Sequence, residues 1–186
     1  MAAIRVGLIG AGGIARRHLP AWLALGAEVL VYSHQGAHSI TAEFGGRVAD
    51  SLDGLLEGSD LITVLTPTPS HHHYASTALR EGKDVVCEKP MTRHHQEAVE
   101  LVRLAHQQGR HLFPAHVVRF RDQYAQMHSA VTDGRIGTPA VSRFTRTAPF
   151  PTWSPWFADY EQSGGPVLDV MVHDLDIARW VNGEVS

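Results

Sequence analysis

A glycine-rich loop near the start of the chain has the spacing of a phosphate-binding site. Gly10, Gly12 and Ala15 form a G-x-G-x-x-A pattern between an apolar run at residues 4–9 and a helix-like segment at residues 14–25. In this pattern the first glycine permits a tight turn, the second lets backbone approach a pyrophosphate, and the small third residue allows close packing. Backbone N–H groups at the helix start then face the anion. The loop predicts dinucleotide binding, and the competing interpretation is a plain turn.

Lys89 and the pair Asp169 and His173 are the candidates for proton chemistry. Lys89 follows a strand-like run at residues 84–87, where its ammonium can donate to a hydroxyl or carbonyl at the ligand-binding edge of a parallel sheet. Asp169 and His173 are four residues apart in a segment predicted to be helical, residues 167–181, so they would share one face. Such a pair supplies a proton acceptor and an orienting anion. On the residues alone, a surface lysine and a surface pair are the more common explanations.

The elements that would position these residues alternate between strand and helix. This rhythm predicts an α/β fold, a Rossmann domain with a doubly wound parallel sheet, over residues 1–120. Two prolines predict a loop at residues 66–69, and Ser70 is a candidate helix cap. The predicted strands cover residues 4–9, 28–32, 61–65, 84–87, 111–113 and 117–118, and the predicted helices cover residues 14–25, 39–44, 52–56, 70–80 and 94–108.

The pattern changes near Phe120, which we take as the end of the first domain. A helix is predicted over residues 123–132, and the alternation at residues 140–148 predicts a half-exposed strand. A loop over residues 149–155 precedes the predicted helix at 167–181. A second domain, residues 121–186, therefore follows the first.

Composition narrows the class of protein. Hydrophobic residues make up 44% and charged residues 19%, and the net charge of −3 does not favour nucleic acid. No apolar run is long enough for a membrane span, and the N-terminus lacks a signal-peptide pattern. The single cysteine, Cys87, fits a reducing compartment, so we expect a cytoplasmic protein. The histidine runs at residues 71–73 and 94–95 lack metal-ligand spacing, so no metal site is predicted.

Several ordered motifs resemble one family along the whole chain. Together with the glycine loop, Cys87-Glu88-Lys89-Pro90 resembles the glucose-fructose oxidoreductase, inositol dehydrogenase and rhizopine-catabolism (Gfo/Idh/MocA) family. The further matches are Thr66-Pro67, His71, Ala75, Ala78-Leu79, Gly82-Lys83, Arg119-Phe120, Ile136-Gly137-Thr138-Pro139, Gly164-Gly165-Pro166-Val167-Leu168-Asp169, His173-Asp174 and Asp176.

The resemblance implies an NAD(P)-dependent oxidoreductase that transfers a hydride between the cofactor and a secondary hydroxyl or carbonyl of a sugar, cyclitol or related polyol. Lys89 would contact the reacting hydroxyl, with a cis bond to Pro90, and Asp169 and His173 would complete the site. We assign His173 as general base, Lys89 as electrostatic donor and Asp169 as substrate ligand, with Lys89 as the other possible proton acceptor. The expected cofactor contacts are Gly10, Gly12, Gly13, Ile14, Ser33, His34, Thr66, Pro67, His71, Glu88 and Lys89.

The residues after the second strand bear on the choice between NADP(H) and NAD(H). A carboxylate there would bind the 2′-hydroxyl of NAD, but the chain has Ser33-His34-Gln35. Ser33 and His34 can donate hydrogen bonds, and no carboxylate repels a 2′-phosphate. We therefore favour NADP(H), and NAD(H) held by other contacts remains the alternative.

The chain is shorter than members of the family it resembles. Most of the sheet of the family's second domain is missing, so residues 121–186 are expected to form an incomplete α+β substrate domain. We expect a homo-oligomer that covers Leu168, Val172, Leu175 and Val181, because exposed apolar area is costly. The alternative functions are a non-catalytic, regulatory nucleotide-binding member, an inactive fragment, or a lyase or glycosidase using transient oxidation.

The tryptophans of the second domain have two possible uses. Trp153 and Trp156 could stack on a sugar or pack in the protein, and both interpretations stay open. For Trp180, which lies in the predicted helix, we expect packing.

Overall fold

The computed structural model describes residues 3–147, 149–152 and 154–184. The chain folds into two compact units, residues 1–115 and 116–186. The functional division into a dinucleotide-binding domain and a substrate domain at residue 120 stays a prediction.

The first unit is built on a parallel sheet of six strands in the order β3-β2-β1-β4-β5-β6. The chain leaves β1 toward β2 and β3 and then returns to the other side of β1, so the order reverses between β1 and β4. Ligands of such sheets bind at this switch point, beyond the carboxyl ends of the strands. The strands are β1 Arg5–Ile9, β2 Glu28–Tyr32, β3 Arg47–Val48, β4 Leu61–Val64, β5 Asp84–Cys87 and β6 Leu112–Pro114.

Five helices cover both faces of this sheet. Each face of the sheet carries its own apolar cluster. In β4, Leu61 points into one cluster and the next residue, Ile62, belongs to the other. The cluster of Leu61 packs against the first two helices, and the cluster of Ile62 packs against the last three. The predicted doubly wound α/β fold is confirmed. The helices are α1 Ala15–Ala24, α2 Ala37–Phe44, α3 Leu52–Glu57, α4 His71–Arg80 and α5 His95–Gln108.

Two local predictions for the segment that enters α4 need correction. The predicted loop 66–69 runs into a 3-10 turn, Thr68–Ser70, whose first turn accepts Pro69 because proline has no N–H to lose there. Ser70 makes no side-chain cap of α4. Its hydroxyl instead donates to the Pro67 carbonyl oxygen at 2.8 Å and lies 2.7 Å from Thr66 Oγ1, whose hydroxyl can donate to it.

The second unit consists of helices and turns in its described part. Its apolar centre is formed by Val118, Ile177 and Val181, with Met127 and Trp180 packed against it. The helices are α6 Asp122–Thr132, α7 Tyr160–Ser163, α8 Gly165–Asp169 and α9 Val172–Asn182, and the 3-10 turns are Val117–Phe120 and Pro155–Ala158.

The two strands predicted near and within this unit are wrong for the residues described. Residues 117–118 lie in a 3-10 turn, and residues 140–147 form no strand. Residue 148 lies outside the described residues. A strand requires a neighbour for its backbone hydrogen bonds, and the described part of the second unit contains no strand that could pair with these segments.

The predicted helix at residues 167–181 is also interrupted. The N–H of Met171 bonds to the Pro166 carbonyl five residues back, and the N–H of His173 bonds to the Val170 carbonyl three residues back. The regular four-residue ladder is therefore broken between α8 and α9. Asp169 ends one helix and His173 lies in the first turn of the next, so they do not share a face of one continuous helix.

Candidate functional site

The glycine loop lies at the switch point between β1 and β4. Gly10 has a φ of 106°, and a Cβ there would lie 2.9 Å from the backbone carbon and oxygen of Leu65. Only glycine fits this conformation without strain. At Gly12 and Gly13 an added Cβ meets nothing within 4 Å, so that side of the loop is open to a ligand. Ala15 is fully buried, as close packing of α1 requires.

The residues after β2 present no carboxylate. Ser33 Oγ accepts a hydrogen bond from the backbone N–H of Gln35 at 3.4 Å. His34 is exposed, and the edge of its ring packs against Tyr32 with centroids 6.0 Å apart. Both side chains can still donate a hydrogen bond to a ligand.

His71 joins the segments that follow β4 and β5. Its side chain is buried, with Nδ1 2.8 Å from the Pro90 carbonyl oxygen and Nε2 2.7 Å from the Thr66 carbonyl oxygen. A neutral imidazole has one N–H and satisfies one of these acceptors, whereas the imidazolium satisfies both. Burial lowers the pKa of His71, and the two carbonyl oxygens only partly offset this.

The Glu88-Lys89-Pro90 segment is fixed by hydrogen bonds. Glu88 Oε2 accepts from the backbone N–H of Lys89 at 3.0 Å, and Oε1 lies 3.0 Å from His18 Nε2. Burial alone would raise the pKa of Glu88, but the bonds from His18 and Lys89 outweigh it, so this pKa lies below its ordinary value. The Lys89–Pro90 peptide bond is cis, as the family resemblance implied.

His18 is a residue of this site that the sequence analysis did not select. The available signal was its place in α1, because residues 15, 19 and 22 define the apolar stripe of that helix and residue 18 falls within it. Cys87, by contrast, is a buried thiol whose pKa is raised by burial, so it stays protonated and unreactive.

Asp169 and His173 lie in the second unit, where both side chains are half-buried. The two acidic residues that follow them are held by arginines. Asp174 accepts from Arg146 Nε at 2.9 Å and Nη2 at 2.7 Å. Asp176 accepts from Arg119 Nε at 2.8 Å and Nη2 at 2.6 Å. These two carboxylates of the family-like segment therefore anchor α9 within its unit.

The tryptophans differ in their surroundings. Trp180 stacks on His128 with ring centroids 4.1 Å apart, which confirms packing for this residue. Trp156 stacks on Phe157 at the same separation, 4.1 Å. Trp153 lies outside the described residues, so its interpretation stays open.

Among the described residues there is neither a cluster of metal ligands nor a helix that could span a membrane. Within residues 3–147, 149–152 and 154–184, no three histidine, cysteine, aspartate or glutamate side chains are grouped to hold an ion. Over the same ranges, no helix has the length and apolar character needed to cross a bilayer.

The sheet order and the glycine loop at its switch point define an NAD-binding Rossmann protein. Residues 4–116 match the family described as "Oxidoreductase family, NAD-binding Rossmann fold", and residues 124–186 match the GFO/IDH/MocA C-terminal domain. The chain therefore belongs to the GFO/IDH/MocA family, and the resemblance found in the sequence is confirmed.

Named relatives act on sugars. A 1,5-anhydro-D-fructose reductase from Ensifer adhaerens is 34% identical, with 95% of this chain and 56% of the relative covered. A UDP-N-acetylglucosamine 3-dehydrogenase from Acidithiobacillus ferrooxidans is 31% identical, with 97% and 55% covered. Among solved structures, a 3-ketoreductase from Actinomadura kijaniata in complex with NADP and TDP-benzene has a TM-score of 0.83 and 28% identity, with 98% of this chain and 58% of that chain covered.

The matches cover nearly all of this chain but a much smaller share of each relative. The chain spans about half the length of the curated relatives it matches, from 50% to 56% of each.

Proposed function

We propose that this chain functions as an NAD(P)-dependent oxidoreductase that transfers a hydride between a nicotinamide cofactor and a secondary hydroxyl or carbonyl of a sugar, cyclitol or related polyol. The observation that carries the proposal is the sheet edge at the switch point. There the open glycine loop follows β1, and the Glu88-Lys89-Pro90 segment, held by His18 and His71, follows β5. The reductase and dehydrogenase relatives support the same class of reaction.

The cofactor, when bound, supplies or accepts the hydride, and the protein handles the hydroxyl proton. We assign the proton acceptor to His173 and the binding of a substrate hydroxyl to Asp169. Lys89 donates a hydrogen bond to the reacting oxygen and stabilises negative charge that develops on it. Lys89 is also the alternative proton acceptor. Both assignments in the second unit rest on the family pattern, because the break between α8 and α9 removes the shared helix face.

The cofactor contacts proposed are those of the glycine loop and of the segments after β2, β4 and β5. NADP(H) is favoured over NAD(H), because Ser33 and His34 leave donors for a 2′-phosphate and no carboxylate repels it. The full set is Gly10, Gly12, Gly13, Ile14, Ser33, His34, Thr66, Pro67, His71, Glu88 and Lys89.

The catalytic assignment is tested by measuring the absorbance of the reduced nicotinamide while sugars and cyclitols are supplied in turn as substrates. Lys89→Ala and His173→Ala are each expected to lower turnover about a hundredfold or more, since a positioned proton-transfer group contributes at least that much. His106→Ala, a substitution at an exposed histidine of α5 outside the proposed site, serves as control and is expected to keep most of the turnover. Near-wild-type turnover in both site variants would sink the assignment.

A second candidate is a regulatory family member that binds the nucleotide without turnover, or an inactive fragment. A lyase or glycosidase with bound NAD is the third. Net release of reduced cofactor during a substrate screen distinguishes the dehydrogenase from both, because only the dehydrogenase requires it.

We also propose a cytoplasmic homo-oligomer without a nucleic-acid partner. Its apolar surface includes Val167, Met171 and Leu175, which are exposed within the second unit. Val181, which the sequence analysis expected to need a partner chain, is instead buried beside Ile177. The mass of the particle in solution, measured by light scattering, tests the assembly.

A further inference from the structure

His18 is a polar residue on the buried stripe of α1. Its neighbours on that stripe, Ala15 and Leu19, are fully buried, and the His18 side chain is 20% exposed. The helix begins directly after the glycine loop, so His18 lies one turn beyond the expected position of the nucleotide phosphates. None of the proposed cofactor or proton-transfer roles uses this residue.

The imidazole contacts a carboxylate 70 residues further along the chain. His18 Nε2 lies 3.0 Å from Glu88 Oε1, and the Glu88 side chain is 12% exposed. A carboxylate only accepts hydrogen bonds, so Nε2 is the donor. The second oxygen of Glu88 accepts the backbone N–H of Lys89 at 3.0 Å. Both carboxylate oxygens are therefore held within the protein.

Glu88 depends on this contact because its side chain is both charged and mostly buried. The hydrogen bonds that it receives keep the pKa of Glu88 low although burial acts in the opposite direction. Without the donor at residue 18, a mostly buried carboxylate would lose the larger part of its compensation and would reorient toward water. The backbone of Lys89 would then lose the acceptor that fixes it.

We propose that His18 is a positioning residue for Lys89. It holds the Glu88 carboxylate and thereby links the helix that receives the nucleotide phosphates to the segment that carries the lysine. The chemical importance of that link rests on the proposed function of Lys89, whereas the link itself is a property of the folded chain.

The test uses two amides of different reach, His18→Gln and His18→Asn. The side-chain nitrogen of glutamine reaches the place of Nε2, and that of asparagine reaches only the place of Nδ1. Hydrogen exchange of the Lys89 backbone amide is measured by NMR in the full chain without nucleotide. We expect exchange about tenfold faster in His18→Asn and within about twofold of wild type in His18→Gln, from the loss of one charge-assisted bond.

Nucleotide affinity gives a second readout. Titration with NADPH should give a Kd about fivefold weaker for His18→Asn, while His18→Gln and the control His38→Asn stay within about twofold. His38 is exposed on α2, so its replacement tests for a general effect of removing a histidine.

Equal Lys89 exchange in the two amide variants would overturn the proposal. If His18→Asn does not fold, His18→Leu replaces it, because leucine occupies the same buried stripe without a donor for Glu88, and unchanged Lys89 exchange there overturns the proposal as well. Failure of the wild-type chain to bind NADPH or NADH would contradict the proposed function, and the exchange comparison would still decide the role of His18.

Discussion

Gly10 and Gly12 belong to the same motif but meet different physical demands. Gly10 is required by the fold, because its φ is positive and an added Cβ would meet the backbone of Leu65 at 2.9 Å. Gly12 is surrounded by open space, so the requirement for glycine there comes from a ligand rather than from the fold. The same pattern in the sequence therefore combines a folding constraint with a binding constraint.

Replacing each glycine with alanine should separate these two constraints. Gly10→Ala is expected to lower the free energy of unfolding by about 1–3 kcal/mol, the usual cost of a strained backbone position. Gly12→Ala should leave stability nearly unchanged and weaken NADPH binding. Chemical denaturation and fluorescence titration measure the two effects. Equal stability loss in both variants would contradict the structural distinction.

The buried ring of His71 predicts a pH dependence of stability. Burial lowers its pKa in the folded protein below the ordinary value of 6.5. The unfolded chain therefore takes up the proton first, and the free energy of unfolding should fall as the pH drops from 6.5 toward the folded pKa. In His71→Gln this part of the dependence should disappear, whereas His73→Gln, at an exposed position of the same helix, should retain it. Identical pH profiles for the two variants would refute the prediction.

At the scale of elements, the sequence predicted the features that depend on local residue patterns. The bounds of β2 and β5 were predicted to the residue, because continuous apolar runs flanked by polar residues mark strands of a doubly covered sheet. The cis bond at Lys89–Pro90 was also anticipated, through the family resemblance. The glycine loop was placed correctly between β1 and α1.

Contacts between residues that are distant in the chain could not be predicted from the sequence. The alternation at residues 140–147 indicates a face but no neighbouring strand, and none lies in the described part of its unit. The break between α8 and α9 depends on the bond from the Met171 N–H to the Pro166 carbonyl. Hydrophobic periodicity gives no information about such a bond. His18 and Glu88 are 70 residues apart, so their contact follows only from the crossing of α1 over the sheet.

The arginine pair that anchors α9 gives a prediction at this scale. Arg146→Met leaves the Asp174 carboxylate, which is 10% exposed, without its bidentate partner, and should destabilise the second unit by about 2 kcal/mol. The matched control is Arg179→Met, which breaks the exposed pair with Glu184 and should cost less than about 1 kcal/mol. Denaturation followed by tryptophan fluorescence compares them. A loss no larger than that of the control would show that Asp174 does not anchor the helix.

At the scale of the whole molecule, family membership and fold agree on nucleotide binding. The first unit contains the complete parallel sheet with its switch point, and the match to the NAD-binding family covers residues 4–116. The proposed catalytic and substrate-binding residues are distributed over both units, with Lys89 in the first and Asp169 and His173 in the second. Nucleotide binding can therefore be tested separately from turnover.

The central claim is that the glycine loop of this chain binds a nicotinamide dinucleotide. The most direct measurement is a parallel fluorescence titration of the purified chain with NADPH and NADH, with the fold verified by circular dichroism. We predict saturable binding of both or of NADPH alone, with NADPH the tighter ligand. Tighter or equal binding of NADH would contradict only the preference assigned to Ser33 and His34. Binding of neither nucleotide by a folded chain would contradict the account itself.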